Sequence, residues 1–234
     1  MLIGHFAVGF AAKRAAPRTS LTTLVLAALS LDMVSPLFVW LGIERVRVGA
    51  ADGVRAVLDP ESYRWSHSLL VVLVWTALLA WLYRFFTGYA RGAFWVGVAV
   101  FSHWVLDFVS RRSDLPIAPG IPVKLGLELW SSVAASVMVE VGMFAAGVLL
   151  YVSATRAKNW LGHVSLWTLV VALVCGHWVD IAGSPPPSVG SIKVMGLVGC
   201  VLVLWFVWID HARELRPGWS RAAGAEPVPP GRGT

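Results

Sequence analysis

The chain has 234 residues, of which 57% are hydrophobic and only 14% charged, and its formal net charge is +6. Soluble globular domains carry about 25% charged residues, so the composition excludes a soluble globule, a disordered chain and a coiled coil. Thirteen tryptophans agree with this, because indole rings settle at lipid–water boundaries. The basic residues lie between apolar runs and not along one face, which argues against a nucleic-acid partner. The sequence therefore predicts an integral membrane protein whose partner is the lipid bilayer.

Six apolar runs approach or reach the roughly 20 residues that a helix needs to cross a bilayer. They predict spanning helices over 21–43, 67–86, 92–109, 130–153, 160–182 and 191–210. The shorter apolar stretch 1–12 predicts an interfacial or re-entrant half-helix, and Pro36 predicts a kink in the first span. The predicted fold class is thus all-α, a polytopic transmembrane helical bundle. It forms one domain over residues 1–212, followed by a disordered tail over 213–234.

The basic residues also predict an orientation. With six spans, the two termini share a side with the turns at 84–91 and 154–159, and that side carries slightly more Arg and Lys than the other. Basic residues concentrate in cytoplasmic loops, so both termini are expected in the cytoplasm.

Several ionisable side chains lie inside the predicted spans, where each costs about 2.5–3.5 kcal/mol on insertion scales. Asp32 and His103 lie at similar depths in two spans that run in the same direction. Asp107 follows His103 by one helical turn on the same face, and His67 enters from the opposite side. These four side chains are therefore expected to converge inside the bundle.

Two imidazoles and two carboxylates suit a divalent transition metal, with zinc preferred and manganese or iron as alternatives. Such an ion lowers the pKa of a water molecule, and a carboxylate, Asp107 or Asp32, would accept its proton. Two other interpretations remain open. The cluster is structural glue that joins the helices without metal, or it belongs to a transporter in which the same groups relay protons or bind a cation.

Two residues outside this cluster extend the predicted site. His5, on the half-helix, is a further candidate metal ligand, with an imidazole at the membrane interface as the alternative. Glu140 is a candidate general base that supports the cluster, or else the partner of His163 or His177.

Two arginines follow Asp107 at the end of its span. Arg111 and Arg112 are candidate substrate-binding residues because guanidinium groups attract a phosphate or carboxylate head group. The alternative is ordinary anchoring at the membrane interface.

The order of these residues resembles that of a bacterial family of membrane-bound, metal-dependent hydrolases, whose best-known member is a LexA-regulated inner-membrane protein. The matching positions are His5, Asp32, the box Ser66-His67-Ser68-Leu69, and Ser102-His103 with Asp107. They lie within about the first 125 residues. The first-helix box of the family is usually Pro-Asp-x-Asp, whereas this chain has one carboxylate there. The resemblance implies a divergent hydrolase of the bacterial inner membrane that acts on a lipid-like ester or phosphoester.

Overall fold

The computed structural model describes residues 1–44, 64–182 and 189–219. Within these ranges the chain forms helices joined by short turns, together with two pairs of very short strands. The helices are α1 (Leu2–Ala15), α2 (Leu21–Ala28), α3 (Ser30–Trp40), α4 (Leu69–Thr87), α5 (Ala90–Ser110), α6 (Val133–Ala154), α7 (Trp160–Ala182) and α8 (Val189–Ala212). The strands are β1 (Leu115–Pro116), β2 (Lys124–Leu125), β3 (Thr155–Ala157) and β4 (Arg213–Leu215).

The predicted all-α membrane bundle is confirmed. Helices α4, α5, α6 and α7 are each long and apolar enough to cross a membrane, and the bent pair α2–α3 makes a fifth candidate. The predicted sixth span, 191–210, falls in α8, where the side chains before Val198 lie outside the described residues. The described part of α8 contributes an apolar segment over Val201–Ala212.

The first predicted span, 21–43, is broken. Helices α2 and α3 meet at Leu29 with a bend of 58°, and Leu29 leaves the helical backbone with φ −100° and ψ 2°. The break therefore lies before Pro36, the residue predicted to bend this span, which is inside α3. The break ends α2 in the interior of the bundle, where the carbonyl groups of its last turn need partners from other helices.

Helix α1 lies in the interior of the bundle and not on its surface, so its predicted interfacial position is wrong. It packs mainly on α6, and also on α2, α5 and α7. Phe6 and Phe10 are buried in the largest apolar cluster, with Phe206 of α8 against both rings. At the α1–α6 contact, a Cβ on Gly147 would overlap the carbonyl oxygen of Ala7, so only glycine allows this close approach.

Polar contacts join the elements at one end of the bundle. Asp210, at the end of α8, accepts hydrogen bonds from the backbone N–H groups of Leu21 and Thr22, both at 2.8 Å, and so caps α2. Strands β3 and β4 pair antiparallel and tie the α6–α7 turn to the segment after α8. Residues 213–215, predicted to begin the disordered tail, thus form β4, while 220–234 lie outside the described residues.

The opposite end of the bundle carries the loop after α5. Strands β1 and β2 pair there, and the N–H of Leu70 donates to the carbonyl of Ile117 at 3.0 Å, which fixes the loop to the start of α4. Leu31, Val72, Trp104 and Leu115 form a small apolar cluster beneath it. Helices α3, α4 and α5 are therefore held together at this end, where the predicted site residues lie.

Candidate metal centre

The four side chains predicted to converge do so. Asp32 Oδ1 lies 3.5 Å from His103 Nε2 and 3.6 Å from His67 Nε2. Asp107 Oδ2 lies 4.0 Å from each of the same two nitrogen atoms. Both imidazoles and Asp107 are buried, whereas the side chain of Asp32 is 54% exposed. The cluster is therefore enclosed on the Asp107 side and opens on the Asp32 side.

Ligand-atom separations in this cluster suit a small divalent ion. Two ligand atoms that each lie about 2.1 Å from a tetrahedral zinc ion are about 3.4 Å apart. The distances from Asp32 Oδ1 to the two imidazoles are within a few tenths of an ångström of that value. Asp32, His67 and His103 form one group whose ligand atoms all lie within 4.8 Å of one another; His5, His103 and Asp107 form a second. The structure thus contains a His/Asp cluster that could hold a metal ion.

His103 is oriented by the broken helix. Its Nδ1 lies 2.8 Å from the carbonyl oxygen of Ala28, the last residue of α2. Because a carbonyl oxygen only accepts, Nδ1 carries the proton and donates it. In a neutral His103, Nε2 is then the unprotonated nitrogen, 3.5 Å from Asp32 Oδ1 and 4.0 Å from Asp107 Oδ2. A backbone carbonyl behind an imidazole is a common way to fix a metal-binding tautomer.

His67 is oriented by a side-chain relay. Its Nδ1 lies 2.7 Å from Ser66 Oγ, and that hydroxyl donates to Glu44 Oε2 at 3.0 Å. Since the Ser66 proton goes to Glu44, the hydroxyl oxygen accepts from His67 Nδ1–H, which leaves Nε2 as the basic nitrogen. Glu44 is itself held by the backbone N–H groups of Trp65 and Ser66, at 2.9 and 2.7 Å from Oε1.

His5 joins the cluster from α1. Its ring is stacked on that of His103, with centroids 3.8 Å apart and planes inclined by 2°. Its Nε2 lies 3.4 Å from Asp107 Oδ1. His5 is 2% exposed, so the interfacial alternative is wrong. By contrast, the rings of His67 and His103 are inclined by 60°, with centroids 5.4 Å apart.

Asp107 has cationic neighbours on both oxygens. Arg111 Nε lies 3.0 Å from Oδ2, and the amino group of Met1 lies 3.3 Å from Oδ1. Arg111, predicted to bind substrate, thus forms an ion pair with Asp107, while Arg112 is exposed on the loop that follows. Asp114, farther along that loop, has a carboxyl whose pKa is raised by burial.

Glu140 lies in a separate polar contact. Its Oε2 lies 3.8 Å from His177 Nδ1 and accepts a hydrogen bond of 3.2 Å from the N–H of Ile3. His163, the other suggested partner of Glu140, is exposed on α7. Among the described residues, Glu140 belongs to neither group of clustered ligand atoms. Its hydrogen bond with Ile3 connects it to α1, the helix that carries His5.

Sequence reasoning missed the groups behind the two imidazoles. Glu44 has a local signal, since it is the first acidic residue after the first apolar run, but nothing in the sequence pairs it with Ser66. The Ala28 carbonyl has no signal at all, because the break at Leu29 contains neither glycine nor proline. Both contacts depend on how separate helices pack.

Comparisons with known proteins do not assign the chain to a family. No family model matches the chain, and neither the curated proteins nor the solved structures gave a match.

Proposed function

We propose that the protein is a membrane-embedded, metal-dependent hydrolase with one divalent ion held by Asp32, His67 and His103. The observation that carries this proposal is the position of Asp32 Oδ1, 3.5 and 3.6 Å from the Nε2 atoms of two imidazoles whose Nδ1 atoms have other hydrogen-bond partners. Catalytic zinc sites use three protein ligands and keep one position open. Zinc is the preferred ion, because two imidazoles and one carboxylate suit it.

The ring orientations favour this group of ligands over the one that contains His5. His67 and His103 are inclined to each other, so their lone pairs can converge on one ion. His5 and His103 are stacked and parallel, so an ion about 2 Å from both nitrogens cannot lie in both ring planes. His5 also lacks a hydrogen bond at Nδ1 among the described residues. We therefore assign His5 to Asp107 and not to the ion.

Asp107 suits the role of general base. Its Oδ2 is 4.0 Å from the Nε2 atoms of His67 and His103, close enough to reach a water molecule that an ion held there would bind. A divalent ion lowers the pKa of water and polarises an ester or phosphoester oxygen. Asp107 would accept the proton of the attacking water at Oδ2, the oxygen that Arg111 contacts at 3.0 Å, while His5 contacts Oδ1.

Features around the site favour a substrate that lies in the membrane. The cluster opens at Asp32, which lies in the first turn of α3, just beyond the bend of an apolar helix pair. Arg111 and Arg112 follow α5 at this end of the bundle and would attract an anionic head group. The substrate class that fits is a lipid-like ester or phosphoester, as the family resemblance also implies. A bacterial inner membrane with both termini cytoplasmic remains part of this proposal.

The direct test is metal content followed by hydrolysis. Protein purified in detergent and reconstituted with zinc is expected to hold one ion per chain. His103→Ala should hold none, and His163→Ala, an exposed histidine on α7, should match the wild type. Ester and phosphoester lipids in vesicles should then be cleaved by the wild type and not by His103→Ala. Wild-type protein without metal after reconstitution would contradict the proposal.

A transporter is the second candidate, because one observation favours it. A helix broken inside the bundle beside ionisable side chains is typical of ion-coupled carriers, and α2–α3 is such a helix. Proteoliposomes distinguish the two functions. Zinc or proton flux without any cleavage of lipid would favour the carrier, whereas cleavage without flux would favour the hydrolase.

A further inference from the structure

We propose that Glu140 is a positioning residue that sets where His5 lies by capping α1 from a neighbouring helix. The inference concerns the site of the proposed function, but its test needs neither metal nor substrate. The two proposals can therefore fail separately.

The buried N-terminus of α1 needs a hydrogen-bond acceptor from outside the helix. The first N–H groups of a helix have no partner within that helix, and inside a membrane bundle each must be satisfied by another part of the protein. Helix α1 starts at Leu2, and Met1 before it provides no side-chain cap. Ile3 is fully buried, so its N–H cannot donate a hydrogen bond to solvent water.

Glu140 supplies that partner from α6. Its Oε2 accepts from Ile3 N–H at 3.2 Å, and the residue is 1% exposed. A carboxylate at a helix N-terminus also interacts favourably with the helix dipole. His177 of α7 lies 3.8 Å from the same oxygen, so the carboxylate is held between three helices. This contact explains a buried acid that the metal cluster does not use.

The helix end that Glu140 caps also carries His5. His5 lies two residues after Ile3, within the same first turns of α1, so a shift of this end of the helix moves His5 with it. The stacking of His5 on His103 and its 3.4 Å contact with Asp107 both require that position. Glu140 thus acts on the cluster through α1, without touching its side chains.

The experiment uses the full chain in nanodiscs, with histidine labelled by ¹³C and ¹⁵N. In the wild type, the His5 ring signals should be displaced by the ring current of His103, and His103→Ala should remove that displacement. Glu140→Leu keeps the side-chain volume and removes the acceptor, so it should move the His5 signals towards those of exposed His163. Glu140→Gln retains an acceptor oxygen and should restore them.

Two comparisons make the result decisive. Ser136→Ala is the matched control, because Ser136 lies on the same helix but donates to Leu129 O and not to α1. It should leave His5 unchanged. Wild-type His5 signals in Glu140→Leu would overturn the inference. A displacement in Glu140→Gln as large as in Glu140→Leu would overturn it too, because the acceptor would then not be what positions α1.

Discussion

His5 and His103 lie face to face, with their ring centroids 3.8 Å apart and their planes inclined by only 2°. The ligand atoms of His5, His103 and Asp107 all lie within 4.8 Å of one another, so their separations alone would make both imidazoles candidate ligands of one ion. The ring orientations show that they cannot share an ion, because the nitrogen lone pairs of two stacked, parallel rings lie in different planes. The proposed ion would therefore be held by Asp32 of α3, His67 just before α4 and His103 of α5, whereas His5 of α1 and Asp107 of α5 form an imidazole–carboxylate pair beside it.

If His67 is a ligand and His5 is not, replacing His67 should reduce zinc affinity much more than replacing His5. His67→Ala removes a ligand and should weaken zinc binding by more than about 100-fold, beyond what loss of an outer hydrogen-bond partner costs. His5→Ala leaves the three ligands in place and should weaken it by less than about tenfold. Competition titration with a zinc indicator in detergent measures both. Equal losses in the two variants would show that His5 is a ligand after all.

The relay behind His67 predicts a measurable effect at Ser66. Ser66→Ala removes the oxygen that accepts from His67 Nδ1 and donates to Glu44. Outer partners of this kind typically contribute 10–100-fold to metal affinity, so the same titration should show a loss of that size. Ser68→Ala is the control, because Ser68 Oγ makes no hydrogen bond within the described residues. If both variants bind zinc like the wild type, the relay does not orient His67.

Helical periodicity and depth were enough to predict that four side chains would converge. The spacing of His103 and Asp107 places them on one helix face, and equal depth in parallel spans brings in Asp32. These arguments need only the rise and turn of a helix. They could not predict the bend at Leu29, which has no local signal and arises from packing.

The interior position of α1 did have a signal in the sequence. Residues 2–12 are apolar on every face apart from His5, and a helix that is apolar all round is typical of a buried one. Its length, too short to span, suggested the interface instead. A short helix enclosed by longer helices satisfies both properties, but only the packed structure identifies its neighbours.

The cap that Asp210 places on α2 predicts a stability change remote from the metal centre. Asp210 accepts from Leu21 N–H, Thr22 N–H and the Thr22 hydroxyl at 2.6–2.8 Å. Asp210→Ala should destabilise the protein by about 1–2 kcal/mol, lowering its thermal unfolding temperature in detergent while zinc content stays unchanged. Asp210→Asn keeps one acceptor oxygen, so it should destabilise the protein less than Asp210→Ala. An unaltered unfolding temperature in Asp210→Ala would remove Asp210 from the contacts that stabilise the bundle.

Two glycines on α6 provide a matched test of the α1–α6 contact. A Cβ at Gly147 would overlap the backbone of Ala7, whereas a Cβ at Gly142 meets nothing within 4 Å. Alanine is favoured over glycine in a helix by about 1 kcal/mol, so Gly142→Ala should be neutral or slightly stabilising. Gly147→Ala should lower the unfolding temperature, because overpacking costs about 1–3 kcal/mol.

The same pair also reports on the site. Pushing α1 away from α6 at Ala7 moves the helix that carries His5, so Gly147→Ala should shift the His5 ring signals and Gly142→Ala should not. Because the three atoms nearest to a Cβ at Gly147 all belong to Ala7, such a shift is expected to travel through α1. A Gly147→Ala protein that keeps both the stability and the His5 signals of Gly142→Ala would mean that α1 is not held against α6, and that His5 is positioned by its own ring stacking.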